Sequence, residues 1–458
     1  MTVLVRRLIL VLGILIGPMV LFHLEENARG RRAWEAWKGL QEAAGQSYDP
    51  AAYAPPEISD AKNFAEAPIA NRGPEAKDCW QQDWDALVKP DLGDWRRGVA
   101  TDFAPVEAER KGRSLEGWLS PFDAGLDQLA EAARRPASRL PQVIGQPGRF
   151  YAMLGRIGGL TQLMRAQQLR ALARLHQGRA EAALEDVLTG LRVAQQLAPE
   201  PAILVQLARR AWMEMMLQPL WEGLAGQAWN EAQLIRLQTA LEPVDLVGSL
   251  RRAWQSERCG AAILDRALRG FPPESEWPDS EPAWRRWSRR ILLPKGWTWQ
   301  ALVMEDQAEA QVQAALDPLG HRIDAARVRA AEAGPAGGWR RSLERWVGWG
   351  GARRKASQVA PMARVQAAVD QARVACALER FRLARRSYPG RLEALVPAYL
   401  AQVPHDLVTG GAFHYALADK DYLGYLLHSA GWSGTDEEAD WVWFSGLEPE
   451  HRQHESLP

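Results

Sequence analysis

Three groups of residues carry types that could do acid, base or metal chemistry. His405 and Asp406 are adjacent, and His414 and His428 follow on segments that read as strands. An imidazole beside a carboxylate can serve as a general base or ligate a metal, but this spacing matches no usual metal box, and strand histidines need only share a solvated edge. Glu257 and Asp265 lie eight residues apart in a helical pattern, which sets both carboxylates roughly on one face as an acid pair would require. Arg258 and Arg266 beside them point instead to a surface ion network. Cys79, Cys259 and Cys376 are odd in number and far apart, which excludes a disulfide framework or metal cluster and predicts small buried hydrophobes. No nucleophile elbow, phosphate loop or dinucleotide fingerprint is present. The sequence therefore assigns no catalytic and no cofactor-binding residue.

The elements that would position these groups are mainly helical. Residues 150–269 carry the clearest signal: Leu184, Val187, Leu188, Leu191 and Ala194 recur at helical spacing, with Glu181, Glu185 and Arg192 elsewhere. The periodicity predicts helices over residues 154–176, 181–198, 202–217, 230–241 and 246–268, and the short breaks between them make neighbours antiparallel. The pair RALARLHQGRAEAALEDVLTGLRVA resembles a tetratricopeptide unit. No second and third copies follow at a fixed period, so an irregular helical domain is expected. Prolines at 50, 55, 56, 68, 74, 90 and 105 deny residues 46–121 a long helix and predict an extended wrap, followed by a short helix over 122–133. A Trp- and Pro-rich insertion covers 270–296. Further helices are expected over 299–333, broken near Pro318, and over 357–386.

Tryptophan, at 21 residues, is the one compositional excess. Pairs three or four apart on helices predict core anchors rather than sugar-stacking platforms. Lys plus Arg equals Asp plus Glu at 56 each, so no net field argues for nucleic acid as a partner.

Location is written more plainly than activity. Residues 8–24, LILVLGILIGPMVLFHL, form the one apolar run long enough to meet a bilayer, and counted from Thr2 the segment reaches the roughly 20 residues that span it. A signal peptide also begins with basic residues and an apolar core. Here Glu25, Glu26, Asn27, Ala28 and Arg29 offer no small-residue cleavage site, which predicts an uncleaved signal-anchor. Arg6 and Arg7 precede the run while Arg29, Arg31, Arg32 and Lys38 follow it, so the charge rule is split. A long C-terminal part translocates regardless of its charges, giving an inner (cytoplasmic) membrane protein with its bulk periplasmic. The opposite orientation would hold Arg29, Arg31 and Arg32 against anionic lipid heads. Residues 31–44 are expected to carry the helix onward.

From Asp370 to Trp443 the order is ALERFRLARRSYPGRLEALVPAYL, VPHDLVTGGAFHY, YLLHSAGW, an acidic loop and WVWF. This resembles the globular end of type II secretion major pseudopilins, and the whole chain is similar to uncharacterised anchored helical proteins of planctomycete and verrucomicrobial type. The first resemblance implies a helix ending at Tyr-Pro, a turn into a small sheet, and a calcium loop whose matching acids are Asp436 and Asp440. The chain departs from it in three places. Leu407 follows Asp406 where the family has Pro, Ser433 stands where the calcium loop begins with Asp, and the fifth residue after Gly13 is Pro18 instead of the Glu that pilin processing needs. Calcium takes six to eight oxygens, which Asp436, Glu437, Glu438, Asp440 and backbone carbonyls could supply; four acids between strands also make a solvated turn. The sheet is expected to set Phe413, Tyr415, Leu426 and Trp441 or Trp443 against the helix over 357–386.

The expectation is thus a mainly α protein in four parts: an anchor and juxtamembrane helix (1–45), a Pro-rich wrap (46–149), an irregular antiparallel helical domain (150–356) and a small C-terminal α+β module with a short antiparallel sheet (357–458). It would act in a bacterial envelope by binding a protein partner. The alternative is an envelope hydrolase acting on wall or glycan, with Glu257 and tryptophans lining its cleft.

Overall fold

A computed structural model describes residues 2–71, 87–110, 114–141, 147–269, 294–317, 319–333, 351–417, 424–432 and 441–446, with side chains for most of these and none for residues 2–15. Helices dominate. In chain order they are α1 (Thr2–Ala43), α2 (Ala104–Arg110), α3 (Leu115–Ala132), α4 (Pro147–His176), α5 (Ala180–Gln196), α6 (Ile203–Ala225), α7 (Glu231–Leu241), α8 (Leu246–Glu257), α9 (Cys259–Arg269) and α10 (Lys295–Ala314). A two-residue hairpin, β1 (Leu316–Asp317) and β2 (Arg322–Ile323), precedes α11 (Ala325–Ala333) and the long α12 (Gly351–Arg385). Strands β3 (His414–Leu417), β4 (Tyr425–His428) and β5 (Val442–Phe444) close the chain as an antiparallel sheet in that order.

The chain divides into two compact units, each built from separated stretches. The first comprises Met1–Tyr53, Gln255–Ala315 and Ala326–Ser357. Its core gathers Trp34, Tyr48, Ala262, Trp299 and Leu302, with Trp37, Leu264 and Val303 packed around them. The second comprises Ala54–Trp254, Leu316–Ala325 and Gln358–Pro458.

In the second unit α4, α5 and α6 pack on one another, and Leu184, Leu188 and Leu191 are buried as the periodicity requires. Gly178, at φ +72°, ends α4 in the left-handed conformation. Its N–H reaches the Leu175 carbonyl while that of Arg179 reaches Arg174, a Schellman stop that only glycine enters without cost. Asn230 caps α7 reciprocally with Gln233. Asp186 clamps α5 to α4, accepting from Arg170 at 2.8 Å and Arg174 at 2.6 Å.

Several boundaries differ from expectation for local reasons. The helix expected from residue 122 begins at Leu115 and runs through Pro121. Pro121 has no N–H for the Gly117 carbonyl, and the Ser120 hydroxyl donates to that oxygen at 3.0 Å instead. The helix expected over 246–268 is two, divided after Glu257. In the sheet, Tyr425, Leu427 and Trp443 are buried, while Leu426 is only half-buried on the other face. Tyr415, Leu427 and Trp443 stand opposite one another across the strands, so the Leu426 expectation was out by one residue of the two-residue period.

Candidate functional site

In the first unit, the end of the apolar run meets a polar lock. Ile16, Met19, Val20, Leu21, Phe22 and Leu24 of α1 are all exposed, Leu21 at 67% and Leu24 at 61%. Two residues later Glu26 is buried, its carboxylate accepting from the Trp297 indole at 3.0 Å, the Gln300 amide at 3.1 Å and the Arg29 guanidinium at 2.9 Å. The Asn27 side chain accepts the Gly296 N–H at 2.8 Å, and Phe22 meets Trp297 edge to face. Gly30 and Gly296 let the backbones of α1 and α10 touch: a Cβ on Gly296 would stand 1.8 Å from the Glu26 carbonyl oxygen.

Deeper in the same unit, Asp306 is the hub. Its carboxylate accepts from Trp37 Nε1, the Tyr48 hydroxyl and Arg258 Nε, each at 2.7 Å, and both Arg258 and Asp306 are shielded from water. Burial, reinforced by Asp306, pushes the Tyr48 phenol far up, so this hydroxyl stays a donor. Asp265 accepts from Trp299 Nε1 at 2.8 Å and Arg269 Nε at 3.0 Å. Glu257 instead lies 3.5 Å from Lys355, which also holds Glu309 at 2.5 Å. Burial alone would lower the Lys355 ammonium, but Glu309 and Glu257 hold it above its ordinary value; Glu257 itself is raised by burial. The expected acid pair is therefore two separate acids on two helices, with partners other than the neighbouring arginines. A cleft of ≈ 580 Å³ opens between the C-terminal part of α1, the loop over 45–49 and α9, lined by Lys38, Glu42, Tyr48, Asp49, Asp265 and Arg266 among others.

In the second unit the histidines separate into two pairs. His414 and His428 face each other across β3 and β4 with rings stacked at 4.7 Å. His405 turns away from both and lies 3.1 and 3.0 Å from the carbonyls of Gly320 and His321. His321 in turn lies 2.9 Å from Asp370 on α12, a bond that raises its imidazole against the opposing effect of burial. Asp406 is not a partner of His405: its buried carboxylate accepts from the backbone of Val408 and Thr409 at 2.8 Å and from the Ser429 hydroxyl, fixing the turn before the sheet.

Asp436 and Asp440, the acids of the implied calcium loop, lie outside the described residues, as do Cys79 and the insertion over 270–293. Among the described residues no group of three His, Cys, Asp or Glu could hold a metal ion. Cys259 and Cys376 are buried, and burial pushes their thiols up to about 11 and about 12. Among the described residues Trp34, Trp95, Trp118, Trp212, Trp221, Trp229, Trp254, Trp299, Trp441 and Trp443 are buried as core anchors.

Sequence reading missed Asp306, Arg258 as its partner, the His321–Asp370 pair and the Lys355 cluster. None has a local signature, since Tyr48 and Asp306 are 258 residues apart and His321 and Asp370 are 49 apart. Comparison of the chain with family models, with curated proteins and with solved structures gave no match.

Proposed function

We propose that the protein is a single-pass membrane protein of a bacterial envelope, anchored through residues 8–24, with a folded bulk that binds a protein partner. The observation that carries this reading is the disposition of Ile16, Met19, Val20, Leu21, Phe22 and Leu24, all exposed. At about 100° per residue these six are distributed around the whole circumference of α1, so no single protein face could cover them. Lipid can. Removing six such side chains from water is worth on the order of 10 kcal/mol.

Among the residues whose side chains are described no helix is long and apolar enough to cross a membrane, and residues 1–15, which hold the first half of the apolar run, are outside that set. The polar lock at Glu26 supports the same boundary. Trp297 lies beside Phe22 and Glu26 where an indole favours the interface, and Arg29, Arg31 and Arg32 follow within headgroup reach. The N-terminus faces the cytoplasm and the bulk the periplasm. A hydrolase reading drew on Glu257 and on tryptophans lining a cleft. Glu257 is paired with Lys355, and ten of the described tryptophans are buried in the cores, so binding is the reading the geometry favours.

The test is a C-terminal alkaline phosphatase fusion. Activity in intact cells, lost when residues 8–24 are deleted, supports the proposed topology; an inactive fusion whose cytoplasmic reporter counterpart is active overturns it.

A further inference from the structure

The second unit carries a cleft that none of the groups above uses. It is a ≈ 270 Å³ depression between α7 and α12, lined by Ile235, Gln238, Thr239 and Glu242 on one side, Arg373 and Arg380 on the other, and the loop over 400–402. Both arginines are under-used. Arg373 has one carboxylate in reach, Asp370 at 3.5 Å, and that group is already engaged by His321 at 2.9 Å and approached by Gln366 at 3.3 Å. Arg380 donates Nη1 to Gln238 at 3.1 Å and to the Tyr399 carbonyl at 3.3 Å, and its nearest acid is Glu231 at 3.8 Å. The Nε of each is buried without a hydrogen-bond partner, so what a ligand in the cleft would meet is the Nη groups of the two part-exposed guanidiniums. Two guanidiniums each keep donors in hand beside an open cleft, a supply that planar carboxylates match.

The spacing narrows the ligand. Seven residues along α12 set the two arginines about 10 Å apart on one face. In a left-handed extended peptide with three residues per turn, side chains at i and i+3 share a face and lie about 9 Å apart. Ile235, 42% exposed at the wall, offers an apolar contact to what lies between them. Glu242, exposed at the same wall, is the one acid of the lining and would oppose an anionic ligand.

We propose that this cleft binds an acidic peptide, presented in extended form, through carboxylates three residues apart that pair with Arg373 and Arg380. The proposal deepens the partner-binding reading and rests on it only for the partner being a protein; its test runs in detergent solution and does not depend on membrane topology.

The probe is a rhodamine-labelled Gly-Glu-Pro-Pro-Glu-Gly peptide, titrated with the full chain and read by fluorescence anisotropy. Saturable binding is expected, weakened roughly tenfold or more by Arg373→Ala. Because Arg380 also holds the Tyr399 carbonyl, the complementary variant is Glu242→Gln, which removes an exposed acid and should tighten binding several-fold. The matching Lys-Pro-Pro-Lys peptide should not bind, and free glutarate should compete only at far higher concentration. Equal affinity for the lysine peptide, no change with either variant, or glutarate competing as well as the peptide would each overturn the proposal.

Discussion

Glu200 shows what a single buried acid does to this chain. It is 3% exposed, accepts the Leu140 N–H at 2.6 Å, and has no ion-pair partner among the described residues, so burial pushes its carboxyl up to about 8 from an ordinary 4.5. Between those values the folded chain holds a proton that the unfolded chain has released. Stability is therefore lost as pH rises through the window, at up to ~1.4 kcal/mol per unit. Glu200→Gln keeps an acceptor for Leu140 and removes the titration. Chemical unfolding should give the variant and the parent similar stability near pH 4.5 and the variant a lead of a few kcal/mol by pH 8.5; parallel profiles would refute the assignment. Such residues were not legible beforehand. A glutamate preceding Pro201 reads as a solvated loop, and what buries it is the segment around Leu140, sixty residues earlier. Asp306 escaped for the same reason, since its three donors lie 269, 258 and 48 residues away along the chain.

At the scale of elements the sequence was far more telling, because periodicity reports burial directly. Leu188 is 5% exposed in a helix packed against three others. Leu188→Asp should unfold the second unit, a buried unpaired charge costing several kcal/mol against the roughly 5–15 kcal/mol a domain possesses; an unchanged melting temperature would contradict the packing described. Where reading by period failed, a side chain had intervened. Ser120 lets α3 run through Pro121, and in β4 Leu427 rather than Leu426 faces inward, beside the buried Phe413, Trp441 and Trp443 that were expected there. The crossing of α1 with α10 was invisible, since Gly30 and Gly296 have no pattern until they are seen touching. Gly296→Leu should force the two helices apart and lower the melting temperature by several degrees, as overpacking costs about 1–3 kcal/mol. Retained stability would mean that the crossing is not a tight one.

For the whole molecule, chain order conceals the architecture. Each unit is assembled from three stretches, and the segment Leu316–Ala325 belongs to the second unit while the residues before and after it belong to the first. No composition shift marks those exchanges. What the sequence does mark is the apolar run at the N-terminus, and the proposed anchoring rests on the requirement that the exposed apolar side chains of α1 over residues 16–24 be covered by lipid. The account turns on that requirement. It is tested most directly by alkaline carbonate extraction of membranes from cells making the full chain, followed by N-terminal sequencing of the protein recovered. The account predicts protein that stays in the pellet and begins at or beside Met1. Soluble protein beginning near Arg29 would contradict it.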